Sequence, residues 1–131
     1  MSRQEHSTFA KRVASLNRSG LRMYLVEHVT AEDFDSKVLG GGKKAVVLFY
    51  ASWCPYCANF KPSFEGASMG SARKLETIID EDENPLWDRF NIQAVPTMIA
   101  FENGKIISRR DAKKSIGLTR ADLNSMSKEI S

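Results

Sequence analysis

A chain of 131 residues with 42% apolar and 27% charged side chains has the size and composition of one globular domain around one core. It has no apolar run near the roughly 18 residues that would span a bilayer, and two cysteines without four-ligand spacing make neither a secreted disulfide scaffold nor a structural metal site. The formal charge of +3 is concentrated at one end, because residues 1–22 carry Arg3, Lys11, Arg12, Arg18 and Arg22 against Glu5, a net of +4 that leaves −1 for the remainder. A basic excess at one terminus is not the folded electrostatic face that nucleic-acid binding needs, so neither nucleic acid nor membrane is expected as a partner. Phe9, Val13 and Leu16 have helical spacing but lack the continuous apolar core of a secretory signal. Residues 1–22 therefore read as a basic extension, flexible or helical, ahead of a domain at 23–131. The expected setting is a cytoplasmic monomer, with an organellar leader left open as the alternative.

Residues 23–29 mix alternation with β-branched side chains and predict a short strand, after which Thr30-Ala31-Glu32-Asp33 has the form of a capping box. A helix over 31–39 should follow and end at Gly40, Gly41 and Gly42, where left-handed conformations are tolerated. Ala45 to Ala51 is a continuous apolar run bounded by Lys43-Lys44 and Ser52, the pattern of a central strand buried on both faces. Helical spacing resumes from Pro55 through Phe60, Phe64 and Ala67, with Pro62 placed to kink the helix. Leu75, Ile78 and Ile79 predict a strand, Asp80 to Glu83 a solvated acidic loop, and Pro85 to Phe90 a short helix. A strand lies within Ile92 to Phe101, interrupted at its start by Pro96, and Asn103-Gly104 turns it into a return strand at Ile106 to Ser108. Thr119-Arg120-Ala121-Asp122 caps a terminal helix with an apolar face of Leu123, Met126 and Ile130. The predicted order is β, α, β, α, β, α, β, β, α.

Cys54 and Cys57 are two residues apart, a spacing that serves metal binding, simple packing or electron exchange equally well. Their position is more informative. The pair sits where a buried strand turns into a helix, and Pro55 suits the first helical position because its missing N–H is an orphan there in any case. Cys54 then becomes the N-cap, its sulfur facing the free N–H groups of Tyr56 and Cys57 and the positive end of the helix dipole, both of which favour the thiolate. Cys57, one turn along and pointing into the helix-sheet junction, should be less exposed and less acidic. This asymmetry makes Cys54 the nucleophile that attacks a substrate disulfide and Cys57 the thiol that resolves the mixed disulfide. His6 and His28 have no metal or catalytic spacing with the cysteines.

With these residues in place, the chain resembles the thioredoxin family over about residues 23–131. Phe49-Tyr50-Ala51-Ser52-Trp53-Cys54 is similar to the family's strand leading into Trp-Cys-x-x-Cys, and Pro62 falls five residues after the second cysteine, where the family kinks this helix. Val95-Pro96-Thr97 resembles its cis-proline loop, Asn103-Gly104 its final hairpin turn and Gly117 its glycine before the last helix. The resemblance implies the α/β thioredoxin fold, a central mixed β-sheet flanked by helices on both faces. It implies a thiol:disulfide oxidoreductase that reduces or exchanges protein disulfides, with no cofactor beyond a redox-active Cys54–Cys57 disulfide and no metal. The electron donor would be a reductase of the thioredoxin-reductase kind. In the family the residue before the proline pairs its backbone with an extended substrate and the proline lies beside the reactive sulfur, so the implied substrate surface is Trp53, Pro55, Tyr56, Val95 and Pro96.

Two departures qualify this expectation. Thioredoxins and protein disulfide isomerases usually carry a buried carboxylate six residues before the first cysteine, where this chain has Leu48. Glu76 on the next predicted strand reads as an exposed carboxylate rather than a replacement. The Pro55-Tyr56 dipeptide is the one typical of glutaredoxins, although the paired glycines those proteins use for glutathione are missing after the proline. The alternative functions are a glutathione-linked reductase and a binding module that uses the cis-proline groove to hold a protein partner, with the cysteines idle or holding a metal.

Overall fold

The computed structural model describes residues 26–40 and 42–131. The basic extension expected at 1–22, and the first three residues of the strand expected from Met23, lie outside the described residues. Five strands, β1 (Val26–His28), β2 (Ala45–Tyr50), β3 (Arg73–Ile78), β4 (Thr97–Glu102) and β5 (Lys105–Asp111), form one sheet in the order β1-β3-β2-β4-β5. The pairs of β3 with β1 and with β2 are parallel, while β4 runs antiparallel to both β2 and β5. β2 is central and Ala45 to Phe49 are all buried, which is why the sequence carries no polar alternation there.

Helices cover both faces, as expected: a π-helical turn (Asp35–Leu39), α1 (Pro55–Gly66), α2 (Leu86–Arg89) and α3 (Arg120–Ile130). Ala45, Val47 and Phe49 of β2 pack with Phe34, Val38 and Leu86 on one face, and Val46 and Leu48 pack with Phe60, Phe64, Leu123, Met126 and Ile130 on the other. The first layer is aromatic at its centre, the ring of Phe34 lying 5.1 Å from that of Phe90 and 5.7 Å from that of Phe101. The Thr119 N–H donates to the Asp122 carboxylate at 2.8 Å, closing the expected capping box of α3.

Three local expectations are corrected. The Thr30 capping box forms, its N–H donating to Asp33 Oδ1 at 2.7 Å, but the turn that follows is π-wound, with the Gly40 N–H donating to the Asp35 carbonyl at 2.8 Å. Phe34, the N-cap of this turn, and Val38 within it are both buried in the core. Gly40 is right-handed at φ −85°, and a Cβ there would lie close, at 3.1 Å, to the Ser36 carbonyl oxygen. Left-handed backbone occurs at Gly42, with φ +72°. Finally, β5 extends beyond Ser108 to Asp111, because Arg109 and Arg110 continue the ladder opposite Ile99 and Met98 on an edge strand that tolerates polar residues.

Candidate functional site

The parallel strands β2 and β3 end at the same edge of the sheet, and the loop after β2 delivers the cysteine pair there. Pro55 is the first residue of α1 and Cys54 is its N-cap, in extended backbone at φ −102° and ψ 115°. Of the two N–H groups expected to face the Cys54 sulfur, that of Cys57 makes the hydrogen bond, at 3.2 Å. Both cysteines are free thiols. Cys57 is 1% exposed, and burial first, then the hydrogen bond with Cys54, push its thiol up to about 12, as the interior position predicts.

Cys54 is more covered than an open nucleophile, at 6% exposure, because the loop before β4 closes over it. The Cys54 thiol donates to the Val95 carbonyl at 3.4 Å. The Val95–Pro96 peptide bond is cis, Pro96 is buried, and the loop is tied by the Thr97 hydroxyl donating to the Ala94 carbonyl at 2.7 Å. Around this mouth Trp53 is 60% and Tyr56 41% exposed, and Pro55 is exposed. All seven residues singled out from the sequence, Trp53, Cys54, Pro55, Tyr56, Cys57, Val95 and Pro96, therefore gather at one end of the sheet.

The acidic run after β3 is not merely solvated. Asp80 accepts from the Ser52 N–H and from its hydroxyl, both at 2.7 Å, and the Trp53 indole N–H donates to the Asp80 carbonyl at 3.3 Å. Asp80 thus anchors the loop that carries the cysteines, whereas Glu81, Asp82 and Glu83 are exposed. The signal for this was present in the sequence: Asp80 follows one parallel strand as Ser52 follows its neighbour, which puts both at the same sheet edge.

Glu76 is also corrected, from an exposed carboxylate to one with 0% exposure. It stands in register with Leu48 on the adjoining strand, and its side chain enters the layer beneath α1. Its Oε1 lies 3.5 Å from His28 Nε2 and 3.6 Å from Lys61 Nζ, and Lys61 in turn bonds Glu65 Oε2 at 2.9 Å. Burial, followed by the Glu65 carboxyl, pushes Glu76 up to about 9. Lys74, two residues earlier on the same face, donates to the Phe64, Glu65 and Ala67 carbonyls at 2.8, 2.6 and 2.6 Å and so caps the C-terminal end of α1. Among the described residues no group of three His, Cys, Asp or Glu side chains is arranged to hold a metal ion, and no helix is long and apolar enough to cross a membrane.

Comparison with known proteins gives the same picture. Residues 25–126 match the family model described as Thioredoxin. A thioredoxin of Mycoplasmoides gallisepticum is 31% identical over 86 residues, covering 65% of this chain and 86% of that protein. The thioredoxin of Malassezia sympodialis superposes with a TM-score of 0.69 at 25% identity, over 86% of this chain and 97% of that one. A thioredoxin f2 solved in complex with ferredoxin:thioredoxin reductase has a TM-score of 0.69 at 21% identity, over 80% of this chain and 94% of the matched one.

Proposed function

The chain belongs to the thioredoxin family and is a thiol:disulfide oxidoreductase, a protein-disulfide reductase; on that premise we propose that Cys54 is its nucleophile and Cys57 its resolving thiol. The observation that carries the assignment is the helix cap: the Cys54 sulfur accepts the Cys57 N–H at the N-terminus of α1, where negative charge developing on sulfur meets that donor and the helix dipole. Ionised Cys54 attacks one sulfur of a client disulfide, forming a Cys54–client bond while the other client sulfur leaves as thiolate and takes up a proton. Cys57 then gives up its proton and attacks the Cys54 sulfur, the second client thiol departs, and the two electrons passed to the client leave a Cys54–Cys57 disulfide. A client chain bonded to the Val95 backbone would displace the Cys54 thiol from the Val95 carbonyl and free the sulfur to react. Trp53, Pro55, Tyr56 and Pro96 form the rim that this client meets. The dithiol is regenerated by a reductase-type donor, a reading supported by the related thioredoxin f2 that is bound to such an enzyme.

Insulin-disulfide reduction with dithiothreitol tests the reading, since a pure binding module gives no acceleration. With Cys57→Ser a mixed disulfide through Cys54 should accumulate and be visible by mass spectrometry, while Cys54→Ser should trap nothing. Equal trapping by Cys54→Ser, with none by Cys57→Ser, reverses the roles.

A further inference from the structure

Next to the reactive sulfur an open cleft of about 760 Å³ runs between Tyr56 and Val95 on one side and the segment from Arg109 to Ser115 on the other. One wall is fixed by Arg109, whose guanidinium donates to the Phe90 and Asn91 carbonyls at 2.6 and 3.0 Å and to the two Asp111 carboxylate oxygens at 2.8 and 2.9 Å. That cation is neutralised where it stands. Lys113 and Lys114 differ: both line the cleft, both are exposed, and among the described residues neither ammonium enters an ion pair. Their loop is nevertheless held in place. The Lys113 N–H donates to the Gly117 carbonyl at 3.1 Å and the Gly117 N–H returns to the Lys113 carbonyl at 2.8 Å. Gly117, left-handed at φ +79°, lies so close to Tyr56 that a Cβ would sit 3.0 Å from the tyrosine Cβ, so the lysine loop abuts the residue two positions after Cys54.

The opposite rim carries the other sign. Glu81, Asp82 and Glu83 are exposed beside Asp80, which holds Ser52 and the Trp53 indole. Because β3 and β5 lie on opposite sides of β2 in the sheet, the loop after β2 that carries the reactive sulfur is flanked by the acidic residues 81–83 that follow β3 and by Lys113 and Lys114 that follow β5. We propose that this charge polarity sets client choice and direction: the cleft takes an extended client segment that carries acidic side chains on one side of its cystine, placed over Lys113 and Lys114. The proposal rests on the reading of Cys54 and Cys57 as a disulfide reductase and names the substrate class of that site. Opposite charges across such a rim steer encounter and fix register, an effect that weakens as salt screens it. The same polarity disfavours a client whose acidic side faces residues 81–83, where like charges meet.

The test uses the full chain with dithiothreitol as donor and a series of cystine-bridged peptides alike except for two residues on one side of the cystine: Glu-Glu, Gln-Gln or Lys-Lys, placed before it in one set and after it in the other. In one of the two placements kcat/KM should follow the order Glu-Glu, Gln-Gln, Lys-Lys, with about three- to tenfold between the extremes at low salt and a smaller ratio at 0.5 M salt. In Lys113→Glu/Lys114→Glu the order should invert for that placement. Equal rates for all three peptides in both placements, or an order that the double variant leaves unchanged, would overturn the proposal. Failure to reduce any peptide would instead sink the reductase reading, so the two failures are distinct. If glutathione replaces dithiothreitol as a saturable donor and the double variant abolishes only that saturation, the cleft is a glutathione site and the proposal is wrong.

Discussion

A carboxyl group is sealed from water between β3 and α1, with an ammonium at 3.6 Å and an imidazole at 3.5 Å from its Oε1. Removing such a group from water disfavours its ionised form, and the neighbouring Glu65 carboxyl adds to that, which is why Glu76 rises to about 9 from its ordinary 4.5. In the unfolded chain Glu76 ionises near its ordinary value. Between about pH 4.5 and 9 the folded form therefore binds the proton more tightly than the unfolded form, and stability falls as pH rises through that window. The groups facing Glu76 are His28 from β1, Tyr50 from β2, and Lys61 and Glu65 from α1, with Lys74 nearby on β3. Glu76→Gln keeps the volume and removes the titration. Urea unfolding at pH 5 and pH 8.5 should show wild type losing on the order of a few kcal/mol across the interval and the variant losing clearly less. Parallel losses in the two proteins would place the pH dependence in the other members of the cluster.

The pairing of β2 with β3 decides what a carboxylate at position 48 would do. Leu48 is fully buried and lies opposite Glu76 in the parallel ladder, so Leu48→Asp sets two carboxyl groups side by side in one apolar layer. Like charges at that distance do not both ionise, and the pair shares a proton at neutral pH. The cost in stability should be about 3–5 kcal/mol, from lost apolar packing together with a buried charge. The ionised member is then available to take the proton from Cys57, whose thiol is otherwise held up at about 12. Stopped-flow reduction of a disulfide substrate should show the mixed disulfide resolving several-fold faster in Leu48→Asp, with Glu76→Gln in the same chain restoring part of the stability. A destabilised variant that is no faster would mean that solvent already accepts the proton. The elements themselves were legible because periodicity and caps are local: the run at 45–51, the proline after Cys54, the Asn103-Gly104 turn and the Thr119 box each carry their signal within a few residues. Cys54 and Cys57 were legible for the same reason. Glu76 and Lys74 were not, since whether a charged strand residue is exposed depends on the helix packed above it, and Lys74 became a helix cap only because the carbonyls of α1 end over it. The π winding after Phe34 was equally hidden, as one more residue in the turn leaves the hydrophobic spacing almost unchanged.

At the scale of the whole molecule, both faces of the sheet are closed by residues 34–130: the π-helical turn and α2 on one side, α1 and α3 on the other. The family match likewise begins at residue 25, and the strand that opens the fold is described from Val26. We expect a chain starting at Met23 to fold and react as the full chain does. Truncation also removes the +4 of that segment, taking the formal charge from +3 to −1 without touching the lysines beside the cleft. Loss of the segment should alter stability by no more than about 0.5 kcal/mol, or roughly 2–4 °C in Tm for a domain near this size. Insulin reduction should stay within about twofold, because a charge acts on encounter only over a Debye length of about 8–10 Å. Thermal unfolding and the turbidity assay, run side by side on both chains at two salt concentrations, decide the matter. A broad, non-cooperative transition in the shorter chain would show that the basic segment packs on the domain, and a loss of activity that high salt reproduces in the full chain would show that its charge recruits the client.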